Sequence, residues 1–422
     1  MQFENSLSFA REMDKKDPLK SFRKKFYIPR YKGKDTIYFT GNSLGLQPKS
    51  TKKYIQQELD DWAKLGVDGH FHAKNPWMPY HEKFSGSIAG IVGAKPHEVV
   101  VMNQLTVNLH LLMVTFYKPT TKRYKIICEA KAFPSDQYAL ASQVRFHGLD
   151  PEKTIIEISP RKGEHAIRHE DILQAIEKHK ESLSVVIMGG VNYYSGQVFN
   201  MKEITKAAHD AGAYAGFDLA HAAGNIILDL HKWKVDFACW CSYKYLNSGP
   251  GGVAGIYIHE KFAQDTSLQR LAGWWGSKKE TRFSMPAKFE AIPSAEGWQM
   301  SNAPILSMAA HKASLDIFKE AGLKNLVSKS KSMTGFLFFL LQEIHNKQPG
   351  LIEIITPVPG KEHGCQVSLL MLKKGKDIFT RLKSKGVVAD WREPNVIRIA
   401  PVPLYNTYED IFIFYKILMQ EK

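Results

Sequence analysis

The sequence predicts an α/β protein, with a large domain built on a mostly parallel central sheet and a smaller α/β domain at the C-terminal end. Three observations predict it. From about Glu98, short apolar runs alternate with stretches of helical period, as strands do when helices connect and cover them. An acid, Asp218, and a lysine, Lys244, each follow an apolar run, and open α/β sheets bind ligands beyond the carboxyl ends of their strands. In the last third, a helical stretch from Ser307 to His345 gives way to shorter strands with helices between them.

Residues 1–60 read as a polar arm followed by a helix that packs with the small domain. The arm holds a Gly41-Asn42-Ser43-Leu44-Gly45 turn after the strand-like Ile37 to Phe39. The helix, Lys49 to Lys64, carries Tyr54, Leu59 and Trp62 on its apolar side. Residues 61–300 form the expected large domain. Val99 to Met102 is an apolar run, and Val107 to Phe116 has helical character. Tyr124 to Cys128 is a strand, and Pro134 to Val144 a helix that starts on proline, whose missing N–H costs nothing in a first turn. Thr154 to Ile158 is a strand, and Glu170 to His179 a helix. Ser184 to Met188 is a buried strand, and Met201 to Ala211 a helix with Ile204, Ala207, Ala208 and Ala211 at helical spacing. Ala213 to Phe217 and Val235 to Trp240 are the strands that lead to Asp218 and Lys244. Continuous apolar strands of this kind are covered on both faces, which favours parallel pairing. Residues 301–422 form the expected small domain, with strands Leu351 to Ile355, Val367 to Leu372 and Val396 to Ala400.

The 422 residues, 44% hydrophobic and 23% charged, have an ordinary globular composition. Met1 to Lys20 is charged throughout, so no secretory signal is expected. The longest strongly apolar run, Phe336 to Leu341, is far too short to cross a bilayer. The expected setting is the cytoplasm, without a membrane partner. Four cysteines make no disulfide framework. Cys239 and Cys241 alternate on one strand and read as small core residues, and no metal site is expected. A net charge of +15 raises the question of nucleic acid, but the lysines are scattered and accompany no recognition motif, so no nucleic-acid partner is expected. A diffuse positive field also gathers small anions, such as a phosphorylated cofactor or an amino-acid carboxylate.

Asp218 and Lys244 stand 26 positions apart, enough for a connecting segment and a strand. A lysine amine can condense with an aldehyde cofactor, and a carboxylate can keep a pyridine nitrogen protonated so that the ring accepts electrons. Pyridoxal phosphate chemistry needs that pair at one sheet edge. Lys244 sits in Ser242-Tyr243-Lys244-Tyr245, ahead of Ser248-Gly249-Pro250-Gly251-Gly252, a turn that lets backbone approach a bulky group. Either residue taken alone also reads as a solvated strand end.

Longer segments carry a resemblance: GNSLGLQP (Gly41 to Pro48), LTVNLHLLM (Leu105 to Met113), EAKAFPSDQYA (Glu129 to Ala139), GFDLAHAAGN (from Gly216), DFACWCSYKYLN (from Asp236) and IRIAPVPLYN (Ile397 to Asn406). In this order, over nearly the whole chain, they resemble the kynureninases, pyridoxal phosphate enzymes of the aspartate-aminotransferase fold type I. The resemblance implies that Lys244 holds the cofactor and moves a proton from the substrate Cα, and that Asp218 pairs with the pyridine nitrogen. It places Phe133 against the cofactor ring, with Pro134, Ser135 and a second acid, Asp136, nearby; an ordinary core aromatic is the competing reading of Phe133. It gives the phosphate to Leu105 through its backbone, Thr106, His221 and Tyr243. Helix N-termini favour anions, which suits Leu105 and Thr106. Trp274 and Asn302 match cofactor-site positions supplied by a partner subunit, so a homodimer with shared active sites is implied. Gly189 stands where relatives can carry a serine.

Arg398 matches the clamp for the substrate α-carboxylate, against a competing reading as a surface strand arginine. His70, Ser43 and Asn302 match substrate-pocket positions. The implied reaction is hydrolysis of L-kynurenine to anthranilate and L-alanine, in tryptophan catabolism and NAD biosynthesis, with Tyr243 as proton donor. Asn302 and His70 match forms that take 3-hydroxy-L-kynurenine, whereas Ser277 departs from the histidine such forms can carry. Acceptance of both substrates is the expectation. A cysteine desulfurase shares the fold, and its nucleophile here would have to be Cys365, which leads into an apolar strand and reads as structural. The alternative from another class is a basic nucleic-acid-binding protein on an inactive fold of this type; the intact Lys244, Asp218 and Arg398 oppose it.

Overall fold

The computed structural model describes residues 2–357 and 363–419. Its central sheet has seven strands: β1 (Val99–Val101), β2 (Lys125–Glu129), β3 (Ile155–Ile158), β4 (Leu183–Gly189), β5 (Tyr214–Asp218), β6 (Phe237–Trp240) and β7 (Gly255–Ile258). Their spatial order is β1-β7-β6-β5-β4-β2-β3, and every neighbouring pair is parallel except the two that β7 makes. The expected parallel sheet is therefore present, with one antiparallel strand that the sequence pattern did not announce. Alternation along the strands feeds two cores. Val185 and Ile187 of β4 join one, and Val186 and Met188 join the other.

The helices that flank this sheet or extend the molecule are α1 (Leu7–Lys16), α2 (Thr51–Leu65), α3 (Glu82–Val92), α4 (Leu105–Phe116), α5 (Pro134–Phe146), α6 (His169–His179), α7 (Met201–Asp210), α8 (Ile305–Ala321) and α9 (Leu323–Lys347). A four-stranded antiparallel sheet follows, β8 (Ile352–Ile354), β9 (Val367–Met371), β10 (Asp390–Arg392) and β11 (Val396–Ile399), in the order β8-β9-β11-β10. It packs with α9, α10 (Gly375–Ser384) and α11 (Tyr408–Met419) around a core that also takes in Ala10, Ile37 and Phe39.

Three expectations need correction. The polar arm contains α1, capped by Ser6, whose hydroxyl accepts from the Phe9 N–H at 3.1 Å. Its charges hide an apolar stripe of Leu7, Ala10 and Met13 that joins the smaller core. The helical stretch in the last third is two helices, because Gly322 turns the chain with φ 75° between α8 and α9. Trp62 is 61% exposed, while Glu58 and Asp61 of the same helix are buried. Glu58 accepts from Asn75 Nδ2 at 2.9 Å, Trp77 Nε1 at 3.0 Å and the Tyr80 hydroxyl at 3.1 Å, and these donors draw the acid inward.

Candidate active site

One cleft lies at the carboxyl ends of the central strands. It is lined by Leu105, Thr106, Glu129, Phe133, Ser135, Asp136, Gly189, Val191, Tyr193, Asp218, Ala220, His221, Tyr243 and Lys244. The sheet order sorts these by charge. The start of α4, after β1, lies to one side of Lys244, which follows β6. The acids at the ends of β5 and β2 and in the first turn of α5 lie to the other. Gln104, the cap of α4, makes no side-chain bond to its first turn, so the N–H groups there are available to an anion.

Lys244 Nζ lies 3.1 Å from His221 Nε2 and 5.7 Å from the centre of the Phe133 ring. Burial, then the Lys244 charge, pushes the His221 imidazole well below its usual range, so His221 is neutral and accepts from the lysine. Phe133 is 39% exposed on the cleft wall and meets Tyr193 edge to face at 5.4 Å, which replaces the core-aromatic reading. Beyond Lys244 the chain turns through Gly249 and Gly251, both at positive φ, where a side chain would be strained.

Asp218 ends β5 and is buried, and its Oδ1 accepts from the Ala220 N–H at 2.6 Å. Asp136 is buried beside it. Burial, then the charge of Asp218, raises the Asp136 carboxyl well above its usual range. Burial also raises Tyr243, which holds its phenolic proton at neutral pH.

These residues fit pyridoxal phosphate. Asp136 Oδ1 and His221 Nδ1 are buried without hydrogen-bond partners among the described residues. A buried carboxyl oxygen in that state is suited to a cationic ring, and the α4 start to a phosphate.

Other expected site residues lie outside this cleft. Pro134 serves as the first residue of α5. Arg398, on β11, is 1% exposed, which overturns the surface reading. Its Nε donates to Asp390 Oδ2 at 2.5 Å and its Nη1 to the Tyr193 carbonyl at 2.5 Å, with Nη2 also on Asp390. Asp390 thus holds one edge of the guanidinium, and one N–H on each terminal nitrogen remains for a ligand. His70 bonds the Val67 carbonyl at 2.9 Å and packs on Trp77. Ser43 and Asn302 are exposed, and Trp274 is 40% exposed. The Ser277 hydroxyl donates to the Trp274 carbonyl at 2.6 Å. Cys365 is fully buried and its thiol is pushed up to about 12 by that burial, which leaves no thiolate for a desulfurase reaction. Glu129, Val191, Tyr193 and Ala220 are pocket residues that sequence reasoning missed. The position of Glu129 at a strand end, the same place as Asp218, is the signal that could have found it.

Residues 326–418 match the family model described as the kynureninase C-terminal domain. The chain is 56% identical to the kynureninase of Flavobacterium psychrophilum over 99% of its own length and 98% of that protein's. It is 49% identical to the Homo sapiens kynureninase, over 97% and 91% of the two chains. Among solved structures it is similar to C-DES with glycine covalently linked to its PLP cofactor, with a TM-score of 0.75 and 15% identity over 92% of this chain and 97% of that one. It is also similar to the cysteine desulfurase of Thermococcus onnurineus, with a TM-score of 0.73 and 19% identity over 90% and 93% of the two chains. At such identities these two show the fold alone, the PLP-dependent fold type I.

Proposed function

The chain belongs to the kynureninase family, and from that premise we propose how its residues divide the work of cleaving L-kynurenine into anthranilate and L-alanine. The chain is a hydrolase of L-kynurenine and uses pyridoxal phosphate, which when bound to Lys244 supplies an electron sink for the bonds at Cα and Cβ. The observation that carries the assignment is Lys244, in one cleft with Asp218, Asp136, Phe133 and the start of α4.

Lys244 Nζ takes the proton from the substrate Cα. Neutral His221 beside it accepts a hydrogen bond and leaves the amine its lone pair for that transfer. Asp218 offers its negative charge to the ring nitrogen, and the N–H groups that open α4 take the phosphate. Arg398, held on one edge by Asp390, presents its remaining N–H pair to the substrate α-carboxylate. Water adds to the γ-carbonyl, the Cβ–Cγ bond breaks, and the amino-acid fragment is protonated by Tyr243. Tyr243→Phe is expected to keep the cofactor absorbance while turnover falls about 10²-fold or more. Unchanged turnover would remove Tyr243 from this role.

We assign 3-hydroxy-L-kynurenine as a second substrate of the same cleft. A homodimer with shared sites supplies Trp274 and Asn302. Trp274, Phe283 and Phe71 support this as a connected patch of exposed rings, with centres 5.6 Å and 6.3 Å apart along the chain of contacts. Exposed aromatic patches of this kind are characteristic of interfaces. Mixing Lys244→Ala with Trp274→Ala subunits is expected to restore activity to about one quarter of the sites, since half the dimers are mixed and each carries one intact site. No recovery would place Trp274 in its own subunit's site. All four cysteines are free and buried, which supports the cytoplasm as the compartment, and the products suit tryptophan catabolism and NAD biosynthesis. Among the described residues no helix is long and apolar enough to cross a membrane.

The assignment as a whole is tested by an absorbance spectrum of the purified protein, followed by L-kynurenine and then 3-hydroxy-L-kynurenine. A visible band with release of the aryl acid is the expected result, and the ratio of the two rates measures the preference. A band without aryl product would keep Lys244 and discard the reaction.

A further inference from the structure

The acid side of the cleft holds one carboxylate more than the reading above uses. β2, β4 and β5 are neighbours in the sheet, and they end on Glu129, Gly189 and Asp218. Gly189 pairs directly with Asp218, and the Ile127–Val186 pair brings Glu129 level with the end of β4. The middle strand thus ends without a side chain. A Cβ placed on Gly189 would stand 3.1 Å from Glu129 Oε1, closer than ordinary contact. The missing side chain opens the space into which the Glu129 carboxyl turns, toward the cleft it shares with Asp218.

Glu129 is 4% exposed, and its Oε2 has no hydrogen-bond partner among the described residues. The Asn192 side chain and the Gly189 N–H are the donors beside it. Asn192 spends its Oδ1 on the Tyr194 and Ser195 N–H groups, which leaves its Nδ2 for Glu129. The other titratable groups around this end of the cleft are Asp218 and His221 after β5, Asp136 on α5, Tyr243 and Lys244 after β6, Tyr193 after β4, and Cys128 on β2 itself. Three buried carboxyls facing one lysine cannot all carry charge, so the site stores protons until a second cation enters.

We propose that Glu129 is a second anionic partner for the positively charged ring of pyridoxal phosphate, reached across the gap at Gly189, and that it gives up a proton when that charge arrives. The inference rests on the cofactor reading of this cleft. The O–H bond of Glu129 breaks, the proton passes to solvent, and the electron pair stays on the carboxylate. Burial, then the charge of Asp218, raises Glu129 to about 8, so its proton is in place at neutral pH before the cofactor binds.

An acid raised in the folded state adds stability while protonated, and that stability is lost as pH climbs from its unfolded value of about 4.3 through the folded value of about 8. The melting temperature of the cofactor-free protein should therefore fall more steeply between pH 6 and pH 9 than that of Glu129→Gln.

The decisive experiment is calorimetry of pyridoxal phosphate binding to the cofactor-free protein at pH 7, in buffers of different ionisation enthalpy, for the unmodified chain and for Glu129→Gln. The expected result is release of about one proton more per site by the unmodified chain. Equal proton release, with a normal cofactor absorbance band in both proteins, overturns this proposal alone. No binding and no band in the unmodified chain overturns the cofactor reading and the proposal with it. If Glu129→Gln folds but binds no cofactor, while the unmodified chain shows the steeper fall in melting temperature, the proposal stands on the stability measurement; equal slopes overturn it.

Discussion

Replacing Lys244 with alanine is expected to lower turnover of L-kynurenine by about 10⁴-fold, the upper end of what a positioned base contributes, and to abolish covalent retention of the cofactor. Two losses combine in this one residue. The amine that anchors the cofactor is gone, and so is the base at the substrate Cα. Lys244 is part-buried at the cleft, with His221 Nε2 at 3.1 Å from its amine. Burial and the neighbouring cations hold His221 far below its usual range, and removing Lys244 relieves only part of that. His221 therefore supplies little compensating basicity. Methylamine, small enough to enter the space left by the side chain, should restore part of the turnover. The measurements are steady-state turnover, the absorbance spectrum after dialysis, and the melting temperature to confirm folding. Activity within tenfold of the unmodified chain would remove Lys244 from both roles.

The second large effect is expected from Asp218→Asn. Asparagine has nearly the same shape and its oxygen can still accept from the Ala220 N–H, so the fold at the end of β5 should survive. The negative charge does not. A charged hydrogen bond contributes about 1.5–3 kcal/mol, so the variant should bind pyridoxal phosphate about 10–100-fold more weakly. Turnover should fall by at least a similar factor, because a neutral ring withdraws electrons less well. Asp136, raised first by burial and then by the charge of Asp218, should come down only in part once that neighbour is neutral. Cofactor titration by fluorescence and turnover at saturating cofactor separate the two effects. Full turnover once cofactor is saturating would limit Asp218 to cofactor binding.

Much of this site was legible in the sequence for a physical reason. Strand and helix periods are local, so the apolar runs before Asp218 and Lys244 place both residues at strand ends without knowledge of the rest of the chain. The proline at the start of α5 and the residues that open α4 are local signals of the same kind. Glycine-rich turns also announce themselves, as Gly249 and Gly251 do after Lys244.

What stayed illegible depends on partners distant in the chain. Trp62 looked inward by helical period, yet Glu58 takes that place because Asn75, Trp77 and Tyr80 offer it three hydrogen bonds. Arg398 looked like a surface residue until β11 and β10 came together and set Asp390 against its guanidinium.

The sequence by itself determined the strand-end placement of Asp218 and Lys244, the largely parallel sheet that follows from the alternation of strands and helices, and, through its long matching segments, the reaction. Only the tertiary structure decided which buried polar groups face each other. It set Glu129 beside Asp218 across Gly189, and it left Trp274 and Phe71 on an outer surface. The division has one cause: a repeating pattern is written along the chain, whereas the pairing of buried charges depends on which strand ends become neighbours in the sheet.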